Sequence, residues 1–132
     1  MLDCHQVFEN DFSFATYCGD TCYTVVKREN GKLKEVLETK LLGIEPPEGE
    51  REIGLFIFKA APVFDLLEFN NNKSYSNDQN EHGFLYTIKD LLLKGFRVEG
   101  YPIARLQDSL SFNTPTDLDR ILKFQTKIEF EG

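Results

Sequence analysis

At 132 residues and 15.2 kDa, with 41% apolar and 28% charged residues, the chain has material for one domain with a modest core and not for two. A net charge of −7, with fifteen basic residues scattered among twenty-two acids, leaves no basic stripe for a phosphate backbone and argues against nucleic acid as a partner. There is no apolar run of about eighteen residues and no signal-peptide block at the start, and three cysteines make no disulfide framework, so the expectation is a cytoplasmic protein without membrane contact.

Phe12-Ser13-Phe14-Ala15-Thr16-Tyr17 alternates large with small side chains, and Tyr23 to Arg28 and Leu33 to Glu38 follow as two further strand-like runs. Asn30-Gly31 supplies the positive φ angles of a tight turn between the last two, which predicts a β-hairpin. Between Leu42 and Glu52, Pro46-Pro47-Glu48-Gly49-Glu50 continues neither a helix nor a central strand and reads as an exposed loop. Ile53-Gly54-Leu55-Phe56-Ile57-Phe58 is apolar almost throughout, the pattern of a strand covered on both faces, which places it at the centre of the sheet.

Pro62 opens a short helix with Val63, Leu66 and Leu67 on one side, and Asn70 to Asp78 is polar enough for a surface loop. From Phe84 to Lys94, apolar side chains recur at 84, 85, 88, 91 and 92, and Gly95 stands where a helix ends in the left-handed conformation. Phe96 to Tyr101 alternates as a strand. In Phe112-Asn113-Thr114-Pro115-Thr116-Asp117-Leu118, Thr114 or Asn113 can cap a helix, Pro115 suits its first turn, and Asp117 sets a negative charge beside the exposed N–H groups. That helix presents Leu118, Ile121 and Leu122 to a core, and Lys127 to Glu131 fits either its continuation or an edge strand. The class is α/β in the mixed α+β sense, with three helices against a mostly buried sheet.

Several segments carry a resemblance in their order: Arg28-Glu29-Asn30-Gly31-Lys32 with Val36-Leu37-Glu38-Thr39-Lys40; Gly54-Leu55-Phe56-Ile57-Phe58; Leu85-Tyr86-Thr87 with Asp90-Leu91-Leu92, Gly95 and Val98; Gly100-Tyr101-Pro102-Ile103; and Asn113-Thr114-Pro115 with Asp117-Leu118. From Asp11 to Leu122 the chain resembles the second half of a nucleotidyltransferase of the N-acetylglucosamine-1-phosphate uridylyltransferase and sugar-phosphate nucleotidylyltransferase type. The resemblance implies part of a GT-A, Rossmann-like mixed sheet and a relation to transfer of a nucleotidyl group from a nucleoside triphosphate to a sugar 1-phosphate. It implies that Glu38 accepts hydrogen bonds from sugar hydroxyls and that Lys40 pairs with the phosphate. Glu52 falls where an Asn often contacts substrate, and Asn113 falls where an Asn or Asp helps hold a catalytic Mg2+.

The sequence also departs from that pattern. The family grips its nucleotide with a Gly-rich loop ending in a basic residue, and a further Asp binds the magnesium; both belong to an N-terminal half. Gly19, Gly31, Gly43, Gly49 and Gly54 are isolated here, so no loop of successive N–H groups wraps a triphosphate. Thr24 stands where Gly usually follows the Tyr, and Ile88 where an Asp is usual. The expectation is a sugar-side half, a fragment or a degenerate relative, inactive alone, which binds a sugar phosphate and pairs with a second copy or a complementary N-terminal half.

Plainer roles stand beside these. Asn113 serves equally as a helix cap, and a lone Asn needs a carboxylate from elsewhere before it can hold magnesium. Glu38 and Lys40, two apart on a strand, can simply share its solvent face. Cys4, His5, Cys18 and Cys22 have donors enough for zinc but lack a second tight pair, and they read as ordinary thiols and a surface imidazole. His82 reads as a solvated side chain. Two alternatives of other classes are an assembly module whose sheet edges pair, and a regulatory domain that keeps ligand recognition without catalysis.

Overall fold

The computed structural model describes residues 1–19, 24–39, 49–70, 84–110 and 114–131. In chain order its elements are α1 (Leu2–Val7), β1 (Phe12–Gly19), β2 (Thr24–Glu29), β3 (Lys32–Glu38), β4 (Gly49–Phe58), α2 (Ala60–Phe69), α3 (Tyr86–Leu93), β5 (Val98–Tyr101), a 3-10 turn (Leu106–Ser109) and α4 (Pro115–Glu131). The fold is mixed α+β, as the sequence predicts. Asn30 and Gly31 take positive φ, 52° and 78°, and close β2 onto β3 as the expected hairpin. Gly95, at φ 85°, follows α3 as its left-handed stop.

The second sheet runs β4-β1-β5, with β4 antiparallel and β5 parallel to β1. This corrects the expected centre: β1 is the middle strand, and Ile53 to Phe58 lie at an edge. Phe12 to Thr16 are all buried, and small side chains at Ser13, Ala15 and Thr16 let β1 take neighbours on both sides and cover on both faces. The large side chains of Phe56, Ile57 and Phe58 stay partly exposed instead. A continuous apolar run suits a half-covered edge as well as a covered centre, so the run alone does not separate them.

Two further corrections concern β4 and the helices. Gly49 to Glu52, expected in a loop, open β4, because Glu50 and Arg51 find partners inside the fold and need no solvent. Among the described residues there are four α-helices rather than three; α1 is too short to register as a periodic pattern.

The core lies on the sheet face that carries Phe12 and Phe14, where Val26, Leu33 and Val36 of the hairpin meet Val63 and Leu66 of α2 and Ile88 and Leu91 of α3. Phe12, Phe56, Phe58 and Phe84 form an aromatic layer there, with ring centroids 5.2 to 5.9 Å apart. The opposite face carries a polar plug. The hydroxyl of buried Ser13 shares a hydrogen bond with His5 Nδ1 at 2.8 Å and accepts one from Asn10 Nδ2 at 3.0 Å, and Asn10 Nδ2 also donates to the Tyr101 hydroxyl at 2.7 Å.

Thr114 caps α4. Its hydroxyl accepts from the Asp117 N–H at 3.2 Å, while the Asp117 carboxylate accepts from the Thr114 N–H at 3.0 Å. The chain's last turns are helix. Against expectation, Leu118 and Leu122 are 41% and 51% exposed, and only Ile121 of the three is half-buried. The three-and-four spacing identifies an apolar stripe but not what lies against it. The Pro46-Pro47 segment, Asn71 to Asp78 and His82 lie outside the described residues.

Candidate functional site

Of the four residues singled out for substrate or metal, Glu38 and Glu52 are described, while Lys40 and Asn113 lie outside the described residues. Glu38 is the last residue of β3 and faces Thr24 across the hairpin ladder, so the two side chains share one face. Thr24 is buried and its hydroxyl reaches β4: it donates to Glu52 O at 3.2 Å and accepts from Glu52 N–H at 2.9 Å. Arg51, 2% exposed, donates Nη1 to Thr24 O at 2.8 Å from the next position. The hairpin is thereby pinned by its open end to β4, and Glu38 and Glu52 converge on Thr24 although fourteen positions separate them in sequence.

Burial pushes the Glu52 carboxyl above the usual carboxylate range, against the opposing effect of a hydrogen bond accepted from Gly54 N–H. Gly54, with φ 84°, turns the strand so that this N–H meets the side chain two residues back. Such a carboxyl keeps its proton more readily than a solvated one and can serve hydroxyls as donor or acceptor.

The sequence did not single out the ion-pair network that sets this geometry. Arg28, on β2, grips Glu50 of β4 with Nε and Nη2 at 2.7 and 3.0 Å, and it donates to Glu99 at 2.8 Å and to Gly100 O at 2.8 Å on β5. Thr16 adds its hydroxyl to Glu50 at 2.8 Å. The Glu50 and Glu99 pairs raise the guanidinium's pKa further against the opposing effect of burial. Burial pushes Glu50 up, but the bonds from Arg28 and Thr16 outweigh it and hold the carboxyl below its usual range. Arg28 reads in sequence as part of a hairpin strand and Glu50 as part of an exposed loop; only the fold shows that together they tie four strands.

Away from these residues, a shallow groove of about 660 Å³ is lined by His5, Glu9, Asp11, Lys59 and Arg97 among others. Its charges answer one another. Asp11 accepts from Lys59 Nζ at 2.9 Å and from Arg97 N–H at 2.8 Å, which outweigh burial and hold it below the usual range, and Arg97 Nη1 lies 3.7 Å from Glu9. The groove closes the N-terminal segment onto the sheet.

Among the described residues no three His, Cys, Asp or Glu side chains gather as a metal site. Cys4 and Cys18 are free thiols, and Cys22 lies outside the described residues. No helix among them is long and apolar enough to cross a membrane. The arrangement can offer carboxylates to hydroxyl groups beside a strand bulge. No protein-family model matches the sequence, and no curated protein matches it.

Proposed function

We propose that these residues form the sugar-side wall of a nucleotidyltransferase-like fold, in which Glu38 and Glu52 take hydrogen bonds from the hydroxyls of a sugar 1-phosphate. The observation that supports the reading is that the segments carrying Glu38 and Glu52 meet at Thr24, Glu38 as its cross-strand partner and Glu52 through its backbone. Lys40, two residues past Glu38, would meet the phosphate by the same resemblance. A mixed three-stranded sheet beside a separate hairpin suits such a wall, and the lack of a phosphate loop in these 132 residues makes them inactive by themselves.

Titration calorimetry with a panel of sugar 1-phosphates and nucleoside triphosphates tests the reading. The expected result is weak binding of one or more sugar 1-phosphates, lost in Glu38→Gln and Glu52→Gln, with no pyrophosphate released when a triphosphate and Mg2+ are added. Silence across the sugar phosphates, or triphosphate binding as tight as sugar-phosphate binding, overturns it.

A further inference from the structure

Among the described residues, the least guarded backbone of the sheet is the outer edge of β4 from Phe56 to Phe58. Phe12 spends its N–H on Arg97 O at 3.1 Å, toward β5, while Lys59 N–H reaches Asp11 O at 2.9 Å, across the β1 pairing. Facing residues in an antiparallel ladder alternate between bonded and non-bonded pairs. The Phe12–Phe58 and Phe14–Phe56 pairs are therefore non-bonded, and the N–H and C=O groups of Phe56 and Phe58 point away from β1.

The remainder of that edge is guarded. Thr24 occupies the outward groups of Glu52, and Gly54 lies where the β1–β4 register shifts, a bulge that interrupts regular pairing. From Phe56 to Phe58 there is no bulge, proline or charge, the devices that keep an edge from accepting another strand.

We propose that this edge joins two copies of the chain as a twofold antiparallel β4–β4 pair centred on Ile57. The edge is its own complement. With the axis at Ile57, Phe56 of one copy faces Phe58 of the other, and each facing pair exchanges both of its backbone bonds. The same register lays the second copy's Phe56 and Phe58 against the partly exposed margin of the aromatic layer. It also sets Leu55, 52% exposed, opposite the aliphatic stem of Lys59 of the other copy. The backbone bonds would serve any strand; what a second copy adds is its own Phe56 and Phe58 rings and the Leu55–Lys59 contact in this register.

The free edge spans about 10 Å, so the contact falls short of the roughly 1,200 Å² at which stable interfaces begin, and the dimer is a weak one in rapid exchange. The inference needs only the edge and stands whether or not the sugar-phosphate reading does.

Ile57→Cys, in a background with Cys4, Cys18 and Cys22 changed to Ser, tests the register. The axis lies at a non-bonded pair, where Cα atoms approach to about 4.5 Å, within reach of a disulfide. Mild oxidation should give a disulfide-linked dimer, whereas Val7→Cys in the same background, 75% exposed on α1, should stay monomeric. Sedimentation equilibrium on the unsubstituted chain should show concentration-dependent monomer–dimer exchange. Leu55→Lys, which puts like charges opposite at an exposed position, should shift that exchange toward monomer by about tenfold. A monomer at every concentration, cross-linking at Val7 as fast as at position 57, or a dimer indifferent to Leu55→Lys overturns the proposal.

Discussion

The two ends of β4 are held by opposite chemistry. From Gly49 to Glu52 the strand is fixed by charge and hydroxyl groups, with Arg28 on Glu50, Arg51 on the Thr24 carbonyl and Thr24 on the Glu52 backbone. From Phe56 to Phe58 it is fixed by rings packed on Phe12 and Phe84. The shift in register around Gly54 separates the two. Polar groups hold one end and also close its backbone to newcomers; rings hold the other with no such closure, because dispersion and burial leave N–H and C=O groups unaddressed.

The largest expected effect comes from breaking the apolar end. Phe12 is fully buried and touches Phe14, Phe56, Phe58 and Phe84. Phe12→Ala should lower unfolding free energy by about 4 kcal/mol, measured by urea denaturation. A loss below about 1 kcal/mol would mean that the ring layer is not what holds this end.

Breaking the polar end comes next. Arg28→Met keeps much of the side chain's length and leaves Glu50, 14% exposed, without its guanidinium; the loss should be about 2 kcal/mol, less than for a fully buried pair because Arg28 itself is 24% exposed. The two ends share no contact among those described, so Phe12→Ala with Arg28→Met should sum to within about 0.5 kcal/mol. A coupling well beyond that would show that strain crosses the bulge.

This contrast also explains what was legible beforehand. The hairpin follows from Asn30-Gly31, and α3 from its apolar period and Gly95, since turn and cap chemistry are local. The centre of the sheet was not legible: Phe12 to Tyr17 and Ile53 to Phe58 both carry strand patterns, and which one sits between neighbours depends on pairing partners far along the chain. Gly49 to Glu52 looked like loop because charge ordinarily seeks water, and only the Arg28, Thr16 and Thr24 partners reverse that. Glu38 and Glu52 were nameable by resemblance, but Thr24, which brings them together, looked like a departure from the pattern.

Acid should weaken both ends of β4, through Glu50 at one and through Asp11, paired with Lys59, at the other. Asp11 and Glu50 have folded pKa values below their unfolded ones, so the stability they contribute is present above the ordinary carboxylate range and is lost as pH falls through it toward the lowered values. Glu52 works the other way: raised by burial, it favours the fold below that range, and this contribution fades as pH rises through its folded value. With exposed Asp108, which its bonds from Arg105 also lower, three lowered carboxyls against one raised predict a net decline on acidification. In Arg28→Met, Glu50 loses its main lowering partner, so the decline should be shallower; equally steep denaturation profiles in the two proteins would place the acid sensitivity elsewhere.

The smallest effect sharpens the comparison most. Thr24→Val keeps the branched shape and removes only the hydroxyl, leaving the Glu52 N–H and C=O without it. The expected loss is about 1 kcal/mol, together with roughly fivefold faster hydrogen exchange at the Glu52 amide. Sugar-phosphate binding should weaken in step, because the Glu38 and Glu52 segments then lose the hydroxyl link between them and keep the Arg51 bond to the Thr24 carbonyl and the Arg28–Glu50 pair, which the substitution spares. If stability and exchange are both unchanged, the Arg51 and Arg28 bonds suffice to pin the hairpin, and the hydroxyl neither guards the edge nor joins the Glu38 and Glu52 segments. If exchange quickens while binding holds, the hydroxyl guards the edge only, and the two functions assigned to Thr24 separate.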